Sequence, residues 1–292
     1  MARTKRLRPL GTADLLDETV ELYKSNFLLF VGIAAAVNLP ARLIYSMSVL
    51  TPKNWALSLL ATILVLGLAP VETGALIYAA ADRYLGQATS LRACYRRSLT
   101  KAVYWPVLGV GLLQDLLIWC SALVAAVPAM LIASAIVAIC AVKSQFFTAI
   151  GIGMIIGVFA SCPLWARFMV AGPAVVLEKQ GSVSAIRRSW NLTSSGVWRS
   201  ALVVVVAYAL VYGGPIALGH LIRPLTGHRT YADVPLVYRA VQQGIGILIS
   251  VVLGPLVAIS QTLLYFDLRV RKEGFDLQML ANDMEKEGPA LI

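Results

Sequence analysis

The sequence predicts an all-α membrane protein with six transmembrane helices, and three observations predict it. Only 14% of the 292 residues are charged, where a soluble domain carries about 25%. Hydrophobic residues make up 59%, and the mean hydropathy is +0.76. Long apolar runs begin at Phe27, Trp55, Tyr104, Phe146, Val197 and Val241, near the roughly 20 residues that a helix needs to cross a bilayer core. The expectation is one polytopic domain over residues 1–292. Each run contains Gly or Pro, which spans tolerate where neighbouring helices re-satisfy the backbone.

The first element is amphipathic. Asp14, Asp17, Glu18 and Glu21 share one helical face, with Leu15, Leu16, Thr19, Val20, Leu22 and Tyr23 opposite and Thr12 in the N-cap position. These acids separate the basic N-terminal stretch from the first apolar run, so the start does not read as a secretory signal.

A second amphipathic segment, Ser90 to about Val103, sets Leu91, Tyr95, Leu99 and Ala102 against Arg92, Arg96, Arg97 and Lys101. A third, Ser182 to about Ser194, sets Val183, Ile186 and Trp190 against Arg187, Arg188 and Asn191. The last two share Arg-Arg-Ser after one large apolar residue. Each segment precedes an outward span, which predicts three helix–span–span units over about 11–85, 86–177 and 178–292. The amphipathic helices are expected in the cytoplasmic interface. They serve either as elbows that set the angle of the next span or as a docking face. In the second case Arg92, Arg96, Arg97, Arg187 and Arg188 meet anionic lipid headgroups or another protein.

Charge orients the chain. With both termini cytoplasmic, 19 of the 25 Lys and Arg fall inside, the bias of the positive-inside rule. The net charge of +10 thus reflects orientation and calls for no nucleic acid. Residues 104–142 are almost continuously apolar and would measure about 58 Å as one helix. One span from about Trp105 to Val127, broken at Pro128, keeps the inside-positive count. Residues 128–142 are then a helix extension or a partly inserted segment; an extra span gives a seven-span alternative.

Catalytic and cofactor patterns are missing: no HExxH, GxSxG or P-loop is present. The two histidines, His220 and His228, fall toward the outer end of span five or the loop after it. The four cysteines lack metal spacing, and Cys120, Cys140 and Cys162 lie in apolar runs as packing residues. Gly153 and Gly157 form a GxxxG pair suited to close helix packing.

Ionisable groups inside apolar runs carry more weight, because a bilayer makes them costly unless they are paired or line a watery path. Glu72 and Asp115 fall near mid-membrane, Gln114 adjoins Asp115, and Arg42 and Arg167 are the available counter-charges. They form either a polar cavity or ion pairs that fix helix register. Pro70, beside Glu72, frees carbonyls at that depth.

Three stretches, RPLGTADLLDETVELYKSNF, VVLEKQGSVSAIRRSWNLTSSGVW and TLLYFDLRVRKEGFDLQML, resemble the bacterial family named after the membrane domain of glycerophosphoryl diester phosphodiesterase. The resemblance implies a multi-helix inner-membrane domain, usually of unassigned role. The phosphodiesterase activity of fused members belongs to a separate barrel of about 250 residues, for which this chain has no soluble stretch. Gly227-His-Arg is too short to stand for that enzyme. The leading expectation is a non-enzymatic scaffold, assembly or membrane-organising factor without a cofactor. The alternative is a small transporter or lipid-handling protein with a polar site between spans two and three.

Overall fold

The computed structural model describes residues 9–51, 54–139, 145–194, 196–225 and 235–278, and the regular elements among them are helices. In order they are α1 (Thr12–Ser25), α2 (Phe27–Leu50), α3 (Trp55–Tyr84), α4 (Leu91–Ser98), α5 (Lys101–Ile139), α6 (Gln145–Phe168), α7 (Ala171–Glu178), α8 (Ser182–Thr193), α9 (Val197–Leu225) and α10 (Leu236–Glu273). The protein is an all-α membrane protein. Five helices are long and apolar enough to cross a bilayer, and the α8–α9 pair, bent by 106°, brings the number to six.

The long helices close into a ring in the order α2, α3, α5, α6, α9, α10, with α10 returning to α2. α10 is the most enclosed, 61% of its apolar window being buried against 6% for α5. α5 is the least enclosed of these helices.

The short helices α1, α4 and α8 sit at one end of the ring, and they share one burial pattern residue by residue. Leu15, Cys94 and Ala185 are buried; Leu16, Tyr95 and Ile186 pack at the edge of the core. Asp17, Arg96 and Arg187 are exposed. Thr19, Ser98 and Ser189 are buried hydroxyls, and Val20, Leu99 and Trp190 are exposed apolar residues. The period follows from one helix face being pressed on the ring while the other is left outside. Burial pushes the Cys94 thiol above its ordinary value, as suits a packing residue rather than a reactive one.

Ion pairs bind two of the elbows to the helix before them. Arg97 on α4 holds Asp82 of α3 at 2.7 Å and lies over the Tyr78 ring at 3.9 Å. Arg188 on α8 bonds Glu178 of α7 at 3.0 Å and Glu273 at the end of α10 at 2.8 Å. The chain leading into α1 is held differently. The Leu10 amide donates to Asp267 of α10 at 2.8 Å, and Arg199 and Arg271 each donate to the Leu10 carbonyl at 2.6 Å. We call this the elbow end.

The buried core lies at that end, where the last turns of α3, α7 and α10 pack through Ala75, Ile77, Val170, Ala174, Ile259 and Leu263. On α3, away from that end, Leu59, Leu60, Ile63, Val65 and Leu66 are all exposed. The buried core is concentrated at the elbow end.

Several local expectations change. α1 takes Gly11 rather than Thr12 as its N-cap, with the Gly11 amide donating to Asp14 at 3.0 Å. The second amphipathic segment stops at Ser98, and α5 starts at Lys101. The break expected at Pro128 is absent: α5 continues for 39 residues to Ile139, making at least 128–139 a helix extension. Its neighbour explains this. Gly157 and Gly153 bring α6 so close that an added Cβ would lie 2.7 Å from the Ala122 carbonyl and 2.9 Å from that of Ala126. Packing along this seam holds α5 helical past the proline. The returning span breaks instead between Phe168 and Ala171, which separates α6 from α7. Residues 140–142, His228 and Gly227–Arg229 lie outside the described residues, as does the His220 side chain.

Candidate functional site

The ring surrounds a cavity of about 380 Å³, within the roughly 300–1,000 Å³ range of small-molecule sites. All six long helices contribute to its wall. Its floor is the packed elbow end, marked by Leu76, Met169 and Gly172. Apolar side chains, including Val107, Val110 and Ile118, form most of the wall, and a few polar groups converge among them.

α2 and α3 supply a charge relay. Arg42 donates from Nε to the Asn38 carbonyl oxygen at 3.0 Å, and the Asn38 amide donates to the Glu72 carboxylate. Asn38 and Arg42 are four residues apart on α2, hence on one face. Glu72 is thus compensated through an amide. Pro70 lies just before it in α3, where a missing N–H weakens the helix ladder. Nearby carbonyls find partners from the next unit: Tyr104 donates to Gly67 at 3.0 Å and Ser98 to Val71 at 2.8 Å. Gly74 makes room for that seryl group, since a Cβ there would meet Ser98 Oγ at 2.4 Å.

α5 supplies Gln114 and Asp115. The Gln114 amide donates to the Phe168 carbonyl at 2.6 Å, where α6 ends and leaves its last carbonyls without helical partners. Asp115 lines the cavity from an exposed position on α5, with no hydrogen bond or ion pair to any described residue. α6 and α9 add Trp165 and Tyr208, packed edge to face at 4.7 Å, and α10 adds Ser250 and Gln261.

The structure therefore brings Arg42, Glu72, Gln114 and Asp115 to one cavity, but not Arg167. That guanidinium lies at 4.8 Å over the Trp190 ring and donates to the Trp190 carbonyl at 3.4 Å. Its position at the end of α6 points it toward the elbow α8 instead of the ring interior. Asn38, the true partner of Glu72, was not singled out from the sequence. Its signal was there: an amide one helical turn before Arg42 in an apolar run.

The arginines of the elbow end divide into two groups. Arg97 and Arg188 are engaged in the ion pairs described above. Arg92, Arg96 and Arg187 are exposed and have no partner among the described residues. Among those residues no group of His, Cys, Asp and Glu is placed to hold a metal ion.

No protein-family model, curated protein or solved structure matches this chain. The family resemblance therefore rests on the quoted residues alone.

Proposed function

We propose that this protein binds a small amphiphile through a cationic group and carries or presents it within the membrane, as a small transporter or lipid-handling protein. The observation that carries the reading is Asp115, an exposed carboxylate on the wall of the cavity that has no partner among the described residues. A charge at that depth is costly without compensation. Glu72 has its compensation in Asn38 and Arg42; Asp115 is left for a ligand. The Trp165–Tyr208 pair adds aromatic faces suited to an alkylammonium. The packed core beneath the cavity at the elbow end supports access from the far end.

In this reading the elbow end faces the cytoplasm, since most basic residues cluster there or near it, and the membrane is the bacterial inner membrane. The chain would be a member of the phosphodiesterase membrane-domain family. The step is binding and movement, with no bond made or broken in the ligand.

The test is titration of the detergent-purified protein with a long-chain alkyltrimethylammonium probe, read by tryptophan fluorescence. Wild type should saturate, and Asp115→Asn should bind roughly tenfold to a hundredfold more weakly. Equal binding by both proteins would defeat the reading. The scaffold reading has its own support in the ion pairs that fix α4 and α8 and in the Asp267 cluster that holds the chain leading into α1. It predicts that Asp115→Asn is silent in every assay of ligand and assembly.

A further inference from the structure

The elbow helices carry a second pattern that the cavity does not use. In each Arg-Arg-Ser, the second arginine is an internal latch: Arg97 to Asp82, Arg188 to Glu178. The first arginine, Arg96 or Arg187, occupies the same register position in both helices, is exposed, and has no partner among the described residues.

Register also fixes what surrounds these two side chains. On α8 the buried stripe is Ala185, Ser189 and Leu192, so the opposite side faces out of the protein. There Val183 and Trp190 form an exposed apolar stripe, and Arg187 lies between it and the polar Ser184 and Asn191. Because α8 meets its span at 106°, it runs nearly in the membrane plane when α9 crosses. An apolar stripe beside a polar one on such a helix marks the lipid–water boundary. Arg187 is therefore held at headgroup level. On α4 the same geometry places Arg96 beside exposed Leu99.

We propose that Arg96 and Arg187 are binding sites for the phosphate group of an anionic phospholipid in the leaflet at the elbow end. Guanidinium and phosphate match in charge and in donor geometry. Exposed tryptophans on the same rim, Trp105 and Trp198 at the starts of α5 and α9, supply the interfacial contacts that accompany such a site. α1 is the built-in contrast. Its equivalent position is Asp17, beside exposed Val20, so this third elbow repels the same headgroup. The ring thus selects anionic lipid at two of its three corners, which orders the annulus around the protein. This inference is independent of the cavity.

The experiment is tryptophan quenching in bilayers of phosphatidylcholine with a minority of phosphatidylglycerol, one lipid or the other carrying brominated chains. Wild type should be quenched preferentially by brominated phosphatidylglycerol. The preference should fall about fivefold for each arginine replaced in Arg96→Gln and Arg187→Gln. Asp17→Arg, which removes no contact of the core, should raise it. Unchanged preference in the folded double variant would overturn the proposal. So would an unchanged preference in Asp17→Arg. If polyglutamate rather than phosphatidylglycerol protects the arginines from a guanidine-directed reagent, the surface docks an acidic protein and the lipid assignment falls.

Discussion

Arg199 meets Asp267 at 2.7 Å across a separation of 68 residues, and the same carboxylate holds the Leu10 amide. The Asp267 side chain is fully buried. One group therefore ties the start of α9, the end of α10 and the chain leading into α1.

Removing that carboxylate leaves Arg199 and Arg271 without their shared counter-charge. Asp267→Ala should cost about 3–5 kcal/mol, the usual consequence of breaking a buried charge pair from one side. Denaturant unfolding in mild detergent measures it. Lys272→Ala, whose ammonium reaches the Asn191 carbonyl and Ser194 from an exposed position, should cost well under about 1 kcal/mol.

The α5–α6 seam gives a prediction with an internal control. A Cβ at Gly157 would approach the Ala122 carbonyl to 2.7 Å, whereas nothing lies within 4 Å of one at Gly151. Gly157→Ala should destabilise by about 1–3 kcal/mol through overpacking against backbone. Gly151→Ala, on the same helix, should be neutral or stabilising by up to about 1 kcal/mol from helix propensity. The unfolding midpoint must fall for Gly157→Ala and must not fall for Gly151→Ala.

Gly74 and Ser98 should behave as one unit. Gly74→Ala forces a Cβ to within 2.4 Å of Ser98 Oγ, and Ser98→Gly removes that oxygen but strands the Val71 carbonyl it serves. Each single change should destabilise. The double variant should be better than the sum by roughly 0.5–3 kcal/mol, the range for side chains in contact. A double-mutant cycle on unfolding free energies checks this, and strict additivity would refute the contact.

Access should be one-sided. With the native cysteines replaced, a cysteine at position 115 should react with a membrane-impermeant cationic thiol reagent added at the far end. One at Ile77, buried in the elbow-end core, should not. Labelling of sealed vesicles in both orientations reads the result, and modification at 115 only from the elbow end would reverse the assigned opening.

Much of this architecture was legible because bilayer physics leaves strong marks. Apolar runs located the spans, and charges inside those runs located Glu72 and Asp115. What stayed hidden depended on packing. The register of α1 with α4 and α8 is invisible in letters, because Asp17 stands where Arg96 and Arg187 stand; only burial reveals it. Asn38 carries no charge and so did not stand out, yet it decides the state of Glu72. Arg167 was assigned to the cavity by depth, but the direction of a side chain at a helix end is set by its neighbour, here Trp190. The proline at 128 reads as a break until the glycine seam of α6 is known.

The most direct measurement compares two carboxylates in one binding assay. Alkyltrimethylammonium affinity and unfolding free energy would be determined together for wild type, Glu72→Gln and Asp115→Asn. The partnered Glu72 and the unpartnered Asp115 should separate: Glu72→Gln loses stability and keeps most of its affinity, while Asp115→Asn keeps stability and loses roughly tenfold or more in affinity. Equal losses of affinity in the two variants, or none in Asp115→Asn, would contradict the account.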